Sequence, residues 1–220
     1  MKVLGINSSP RGAKSQTLKL VKGVLEGAKA AGAQVELVDL CKLKIEFCTA
    51  CDVCHRTGKC VHKDDFAALR EKLMAADGLV FASPNYFRTV TAQMKAMIDR
   101  LADAIHCQLF AGKYAASAST SGGPACDEVT TYLNETLLSL GADVVGSVAA
   151  AAGKRPEAVA AAEAKAVELG RELAGAIAAK RVYPAQAERH LHMAAYFRRL
   201  VDLNKDRWPH EHTVWQQKGG

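Results

Sequence analysis

Four cysteines, Cys48, Cys51, Cys54 and Cys60, fall within thirteen residues of this 220-residue chain. The spacing Cys-x2-Cys-x2-Cys-x5-Cys curls successive thiols toward a common centre. Iron in a cluster needs four thiolates converging on one small volume, and bacterial cluster runs open with the same two spacings. The fourth cysteine lies two residues further along than in those runs, after Gly58, which permits a chain reversal. Zinc also accepts four thiolates, but its structural sites use two separated cysteine pairs. Four free thiols and a disulfide pair are the other readings. Cys41, Cys107 and Cys126 stand alone and read as small buried hydrophobes, Cys126 following the loop Gly122-Gly123-Pro124. His55 and His62 flank the run and read as surface groups. His190, His192, His210 and His212 lack an i, i+4 helical pair and read as a solvated tail.

A second group of residues has the chemistry of anion binding. The stretch Asn7-Ser8-Ser9-Pro10-Arg11-Gly12, with Ser15 and Thr17, is rich in hydroxyls and leads into a helical pattern. Free backbone N–H groups and the helix dipole at such a start favour a phosphate monoester. Arg11 can add a charge-assisted hydrogen bond. The nucleotide loop Gly-x4-Gly-Lys-Ser/Thr is absent, because Gly5 and Gly12 are too far apart and Ala13 separates Gly12 from Lys14. The competing reading is that the serines only cap a helix and make a turn. Two further loops shift the balance toward a ligand: Ser83-Pro84-Asn85-Tyr86-Phe87 and Ser119-Thr120-Ser121-Gly122-Gly123. Simple core packing at a strand end is the alternative for Tyr86 and Phe87.

The elements that position these loops alternate. Lys2 to Ile6, Gln34 to Leu40, Gly78 to Ala82, Lys113 to Ala118 and Ala142 to Ala149 read as strands. Gly78-Leu79-Val80-Phe81-Ala82 is a continuous apolar run, which suits a strand buried on both faces. Between them, Leu18, Val21, Leu25 and Ala28 mark one helix, closed by Gly32. Asp64 and Asp65 start another, with Phe66, Leu69 and Leu73 on its inner face. Met94, Met97, Ile98, Leu101 and Ile105 mark a third, followed by Thr131 to Leu140 and the alanine-rich Glu157 to Ala179. Five strands alternating with helices predict a doubly wound α/β sheet, in which ligands bind beyond the carboxyl ends of the strands. The three hydroxyl-rich loops follow strands one, three and four, at that edge. The expected division is a main domain over 1–182, with the cysteine loop at 45–61, and a helical extension over 183–220. His190 to Leu203 carries apolar groups on more than one side, so it must fold back on its own domain or cross to another subunit.

Composition is permissive. Hydrophobic residues make up 49% of the chain, enough for a sizeable core, and the formal net charge is +6. No arginine-rich run with interleaved aromatics and no zinc-finger or RNA-binding signature accompanies that charge, so no nucleic-acid partner is expected. No segment approaches the roughly 20 apolar residues of a membrane span, and the first apolar run is too short for a signal peptide. A cytoplasmic location is therefore expected, where structural disulfides are disfavoured.

Taken together, Ser9-Pro10-Arg11-Gly12-x-x-Ser15-x-Thr17, Ser83-Pro84-Asn85-Tyr86-Phe87 and Lys95-x-x-x-Asp99-Arg100 resemble the NADPH-dependent FMN reductase branch of the flavodoxin-like proteins, over about residues 1–180. The cysteine run after strand two, with Cys60-Val61-x-Lys63-Asp64-Asp65, narrows this to a resemblance to the iron–sulfur flavoproteins. The resemblance implies that Ser9, Arg11, Ser15 and Thr17 hold the FMN phosphate and that Pro84, Asn85, Tyr86 and Phe87 line the isoalloxazine. It implies that Ser119, Thr120, Ser121 and Gly122 close the third side of the ring. It further implies a [4Fe–4S] cluster on the four cysteines, one FMN per subunit, and a homodimer or homotetramer. Electrons would come from a ferredoxin-like donor or from NAD(P)H and pass to a small acceptor such as oxygen or peroxide. No separate general base is required, since hydride and electron chemistry belong to the flavin. Asp99 and Arg100 read as an ion pair at an interface. An NAD(P)H-dependent FMN or quinone reductase without a cluster, and a redox sensor, are the alternatives.

Overall fold

The computed structural model describes residues 1–123, 125–153 and 156–219, so Pro124 of the third loop lies outside the described residues. In chain order the elements are β1 (Lys2–Asn7), α1 (Gln16–Ala30), β2 (Gln34–Asp39), α2 (Val53–Thr57), α3 (Phe66–Ala75), β3 (Gly78–Pro84), α4 (Ala92–Asp99) and α5 (Ala102–His106). They continue with β4 (Tyr114–Ser121), α6 (Asp127–Ser139), β5 (Asp143–Ala151), α7 (Pro156–Ala179), α8 (Pro184–Leu203) and α9 (Pro209–Gln217). The five strands form one parallel sheet in the order β2-β1-β3-β4-β5. This is the doubly wound, flavodoxin-like order, with its switch point between β1 and β3.

The sheet has helices on both faces. Leu20, Val21, Val24 and Leu25 of α1 and Ala166, Leu169 and Leu173 of α7 pack on one face. Phe66, Leu69 and Leu73 of α3, Met94 and Met97 of α4, and Leu133 and Leu137 of α6 pack on the other. Because both faces are covered, β3 and β4 are buried along nearly their whole length. That is why β3 reads as an unbroken apolar run and β4 as a run of small residues. β1, β3 and β4 end at Asn7, Pro84 and Ser121, which places their loops together at one edge of the sheet.

Two differences from the sequence expectation matter for function. The helix predicted from Met94 to Ile105 is two helices, broken at Arg100 and Leu101. The tail is more ordered than its polar sequence suggests. Pro209 opens an extra helix, α9, that the pattern did not signal, and Phe197, Val201 and Trp215 form a small core with Ile105, Met193 and Trp208. The extension thus folds back on its own chain. Leu191, Tyr196 and Leu203 remain exposed. Among the described residues no helix is long and apolar enough to cross a membrane.

Close approach of α1 and α7 depends on two glycines. A Cβ on Gly27 would lie 1.9 Å from the Val167 carbonyl oxygen, and one on Gly170 would lie 2.0 Å from that of Val24. Neither neighbour is a flexible side-chain end. Gly170→Ala gains about 1 kcal/mol of helix propensity, but it forces the helices apart. We expect a net loss of about 1–3 kcal/mol, read as a lower urea midpoint at unchanged m value.

Candidate functional site

The sequence-predicted residues assemble into two cavities. The first, of about 340 Å³, lies at the carboxyl edge of the sheet. Ser9, Arg11, Ser15 and Thr17 line it from the first loop, Pro84, Asn85 and Tyr86 from the second, and Thr120, Ser121 and Gly122 from the third. Such a volume is within the range of small-molecule sites. The loops are stitched to one another rather than merely adjacent. Thr17 Oγ1 and Thr120 Oγ1 are 2.6 Å apart. The Asn85 N–H donates to the Thr120 carbonyl at 2.8 Å, and the Asn85 side chain donates to the Ala125 carbonyl. Ser8 donates through both its backbone N–H and its hydroxyl to the Ala82 carbonyl, each at 3.0 Å.

Individual side chains decide what the cavity can hold. Ser15 caps α1, its Oγ accepting from the Leu18 N–H at 3.0 Å, as the capping reading required. Accepting that bond leaves the hydroxyl proton free to donate. Gln16 lines the same cavity, and its Oε1 is buried without a partner among the described residues. A buried polar atom left unpaired calls for a hydrogen-bonding ligand or water. Arg11 is exposed at the rim, where a guanidinium keeps its hydration until an anion arrives. Hydroxyls, an amide and a guanidinium therefore face a concave space that could hold a phosphorylated ligand.

Two expected residues stand apart from this cavity. Ser119 is fully buried within β4 and its Oγ has no partner among the described residues. Strand alternation explains this, since Thr120 faces Thr17 and its neighbour must face the other side. Phe87 is fully exposed, and Tyr86 is 40% exposed, so core packing is not their role. Tyr86 and Thr89 exchange backbone hydrogen bonds of 2.9 and 3.2 Å across a two-residue turn. Phe87 and Arg88 occupy that turn at φ of 51° and 67°. Left-handed backbone at two non-glycine residues is costly, of order 1–3 kcal/mol each, and marks a turn held for a purpose. It presents the Tyr86 and Phe87 rings to solvent beside the cavity mouth.

The four cysteines do converge. Cys48, Cys51, Cys54 and Cys60 all line a second cavity of about 140 Å³, with His62, Asp99 and Arg100. No disulfide joins any of the cysteines among the described residues. The loop curls because Ala50, Asp52 and Gly58 adopt φ of 51°, 60° and 72°. Tetrahedral zinc at about 2.3 Å would draw four sulfurs to within about 4 Å of one another. Here the four cysteines line one cavity, and no three of their sulfurs are drawn to within 4.8 Å of one another among the described residues. Their acidities differ with position. Cys51, at the surface, is lowered by the Val53 N–H, whereas burial pushes Cys54 up to about 11. His62 Nε2 is buried without a partner among the described residues and lines this cavity, and His55 is buried, so neither is the surface group expected. Cys41 is exposed rather than buried, and its Sγ lies 3.5 Å from the Ser8 carbonyl oxygen.

A neck of hydrogen bonds ties the cysteine loop to the body. Asp65 accepts from the Lys44 N–H at 2.7 Å, and Asp64 accepts from the Glu46 N–H at 2.8 Å. Arg100 donates to the Glu46 carbonyl at 2.8 Å and grips both Asp64 oxygens, at 2.8 and 3.2 Å. Both side chains of this ion pair are 1% exposed. Asp99 pairs with Lys95 on the surface, so Asp99 and Arg100 belong to separate ion pairs within the chain, not to a pair of their own. Breaking the helix after Asp99 is what turns Arg100 toward Asp64. α4 thus runs from the first loop to the cysteine cavity. Its N-cap Thr91 donates to the Ser8 carbonyl at 3.1 Å, and its far end lines the cysteine cavity. Eight helical residues span about 12 Å.

The comparisons with known proteins agree with this geometry. The sequence profile of the NADPH-dependent FMN reductase family matches residues 1–157. An iron–sulfur flavoprotein of Archaeoglobus fulgidus is 33% identical over 226 residues, covering 100% of this chain and 99% of its own. The chain belongs to the iron–sulfur flavoproteins of the FMN reductase family. A second iron–sulfur flavoprotein of that organism is 40% identical over 100 residues, covering 46% of this chain and 48% of its own. A solved NADH:FMN oxidoreductase in its apo form superposes with a TM-score of 0.59 at 25% identity, over 77% of this chain and 88% of that one. The chain is a flavin-dependent oxidoreductase.

One element of the site escaped sequence reasoning. Glu211 of α9 is fully buried and takes a hydrogen bond from His55 at 2.5 Å and another from His106 at 3.1 Å. Burial pushes its carboxyl up, but the bonds from His106 and His55 outweigh this and hold it below its ordinary value. His55 is raised by Glu211, against the effect of burial. The available signal was an acidic residue just inside a Pro-initiated helix, Pro209-His210-Glu211, which is too common a pattern to single out.

The neck gives a pH prediction. Burial alone would raise the Asp64 carboxyl, but Arg100 and the N–H groups of Glu46 and Phe66 outweigh it and bring it down to about 2. An unfolded aspartate titrates near 3.9. A folded pKa below the unfolded one stabilises the protein above about pH 4, and that share is lost as pH falls from about 4 toward 2. Asp64→Asn leaves Arg100 buried without its counter-charge, and about 3–5 kcal/mol should be lost at pH 7. The deficit of the variant should shrink in urea melts at progressively lower pH.

Proposed function

We propose that this protein is an electron-transfer oxidoreductase that binds FMN in the loop cavity and a [4Fe–4S] cluster in the cysteine cavity, working between a one-electron donor and a small acceptor. The observation that carries this reading is that all four cysteines line one cavity, at the far end of the helix whose N-cap is bonded to the first loop. When bound, the flavin supplies hydride and one-electron chemistry, and the cluster supplies one-electron chemistry.

The chain's own residues have separate tasks. Ser9, Ser15, Thr17 and Arg11 would take the phosphate, with hydroxyl donors and one charge-assisted bond. Pro84, Asn85 and Tyr86 would line one side of the ring, with Thr120, Ser121 and Gly122 on the other. Phe87 stands beyond the cavity mouth, where it would cover the ring from outside or meet a neighbouring subunit of a homodimer or homotetramer. Ser119 would act behind the wall rather than as a direct contact. Cys48, Cys51, Cys54 and Cys60 would ligate the iron, with Arg100 offsetting thiolate charge at Cys60. A ferredoxin-like protein is the donor that suits one-electron chemistry, and a reducing cytoplasm suits a chain of seven cysteines without a disulfide among the described residues.

Anaerobic purification with iron, sulfide and flavin assays tests the reading. About four iron and four sulfide per chain are expected, with one FMN. Flavin bands alone, with zinc or no metal, would sink the cluster. Rapid oxidation of NADPH by such protein would favour the cluster-free reductase. Arg11→Ala should weaken FMN by about ten- to hundredfold, the effect of one hydrogen bond to a charged group. Cys54→Ala should lose iron while keeping FMN.

A further inference from the structure

The cysteine loop has a second wall besides its neck, and the C-terminal tail supplies it. α2 lies between Cys51 and Cys60 and carries Cys54. A helix of five residues has no stability of its own in water. Its contacts run along the tail. Glu211 Oε1 takes the His55 ring N–H, one residue on from Cys54, while Oε2 takes the His106 ring. The His55 ring stacks on His106 at 4.9 Å and 18°, with the Trp208 ring 5.0 Å from each. A Cβ on Gly58, which closes α2, would lie 2.5 Å from His210 Nε2. Arg207 pairs with Asp52 at the start of α2. Each carboxylate oxygen of Glu211 is used once, by one ring, so the group forms a closed hydrogen-bonded clamp.

We infer that the tail over 207–215 is a working part of the cysteine site, with Glu211 and Trp208 as positioning residues that hold α2, through His55, so that Cys54 faces the cavity. A buried carboxylate is retained only where its partners repay desolvation, and those of Glu211 sit on α2 and α5. The inference rests on the cluster reading and adds to it a partner segment more than 150 residues away in sequence. Coupling of this kind is reciprocal: if the clamped tail favours the loaded loop, then loading favours the clamped tail.

Hydrogen exchange on the full FMN-bound protein tests this. Cluster-loaded protein, prepared anaerobically, is compared with the same protein stripped by a chelator. Loading should slow exchange across 209–217 by about tenfold, in step with 53–57. Glu211→Gln, which keeps the shape but removes the second carboxylate acceptor, should release iron to the chelator about tenfold faster and keep its flavin. Equal exchange in the loaded and stripped states would overturn the inference, as would wild-type iron-release rates in the variant. Should Glu211→Gln fail to fold, the wild-type comparison decides alone. Wild-type protein that takes up no iron and sulfide on anaerobic reconstitution would remove the cluster reading itself, a result distinct from a cluster that binds without coupling to the tail.

Discussion

The buried ion pair between Arg100 and Asp64 is the interaction on which the arrangement of this molecule turns. Burying two charges costs several kcal/mol per ion after relaxation, and only near-complete pairing offsets it. Here the guanidinium meets both carboxylate oxygens and the Glu46 carbonyl, and its carbon lies 4.6 Å from the centre of the Phe66 ring. Asp64 in turn accepts backbone N–H groups of Glu46 and Phe66. Arg100 Nε alone lacks a partner among the described residues. One pair therefore fixes three things at once: the close of the cysteine loop, the start of α3 and the end of α4. The break between α4 and α5 follows, because a continued helix would carry Arg100 past Asp64.

That constraint also explains why a loop with little regular structure can hold four thiols in place. Between Lys44 and Asp64 the only helix is the five-residue α2. Its backbone contributes few hydrogen bonds, so its shape must come from both ends and from what packs against it. The neck fixes the ends. Left-handed Ala50, Asp52 and Gly58 fix the curl, with strain at the two non-glycine residues. The tail fixes the remaining side through aromatic stacking and the Glu211 clamp. The loop cavity differs in kind. Its walls are strand ends and a helix start, joined by bonds such as Thr17 to Thr120, so the sheet alone determines them.

This difference governs how much could be read from sequence. Strands were legible where burial on both faces left continuous apolar or small runs, as in β3 and β4. The loop residues were legible because the sheet order places the ends of β1, β3 and β4 side by side, and ten of the twelve expected loop residues line the cavity. Ser119 does not line it because alternation along β4 turns it away, and Phe87 does not because it sits in a left-handed turn exposed to solvent. Cysteine convergence was legible from spacing. The histidines and Glu211 were not, since the His55 contact joins residues 156 apart and no local pattern encodes it. Cys41 is exposed rather than buried because it lies in the turn that follows β2, an edge strand of the sheet. The single amphipathic stripe from Met94 to Ile105 continued across the α4–α5 break because both helices pack on the same core.

The two cavities therefore stand on different footings, although α4 runs from the first loop to the cysteine cavity. The loop cavity is inherited from the doubly wound fold, and its walls rest on the sheet and on α1, which α7 holds in place. The cysteine cavity is an insertion that the fold does not support by itself. It draws on a salt bridge in the body and on a segment that starts after the sheet is complete. A short polar tail with buried Glu211, Trp215 and half-buried Trp208 makes little sense as a solvated end, since burying a carboxylate there gains nothing for the sheet. It makes sense if the tail and the insertion form one structural unit, each supplying the partner that the other lacks. The separation of the two cavities in this chain is then also a separation of stabilities, with the loop cavity set by the core and the cysteine cavity set by long-range pairing.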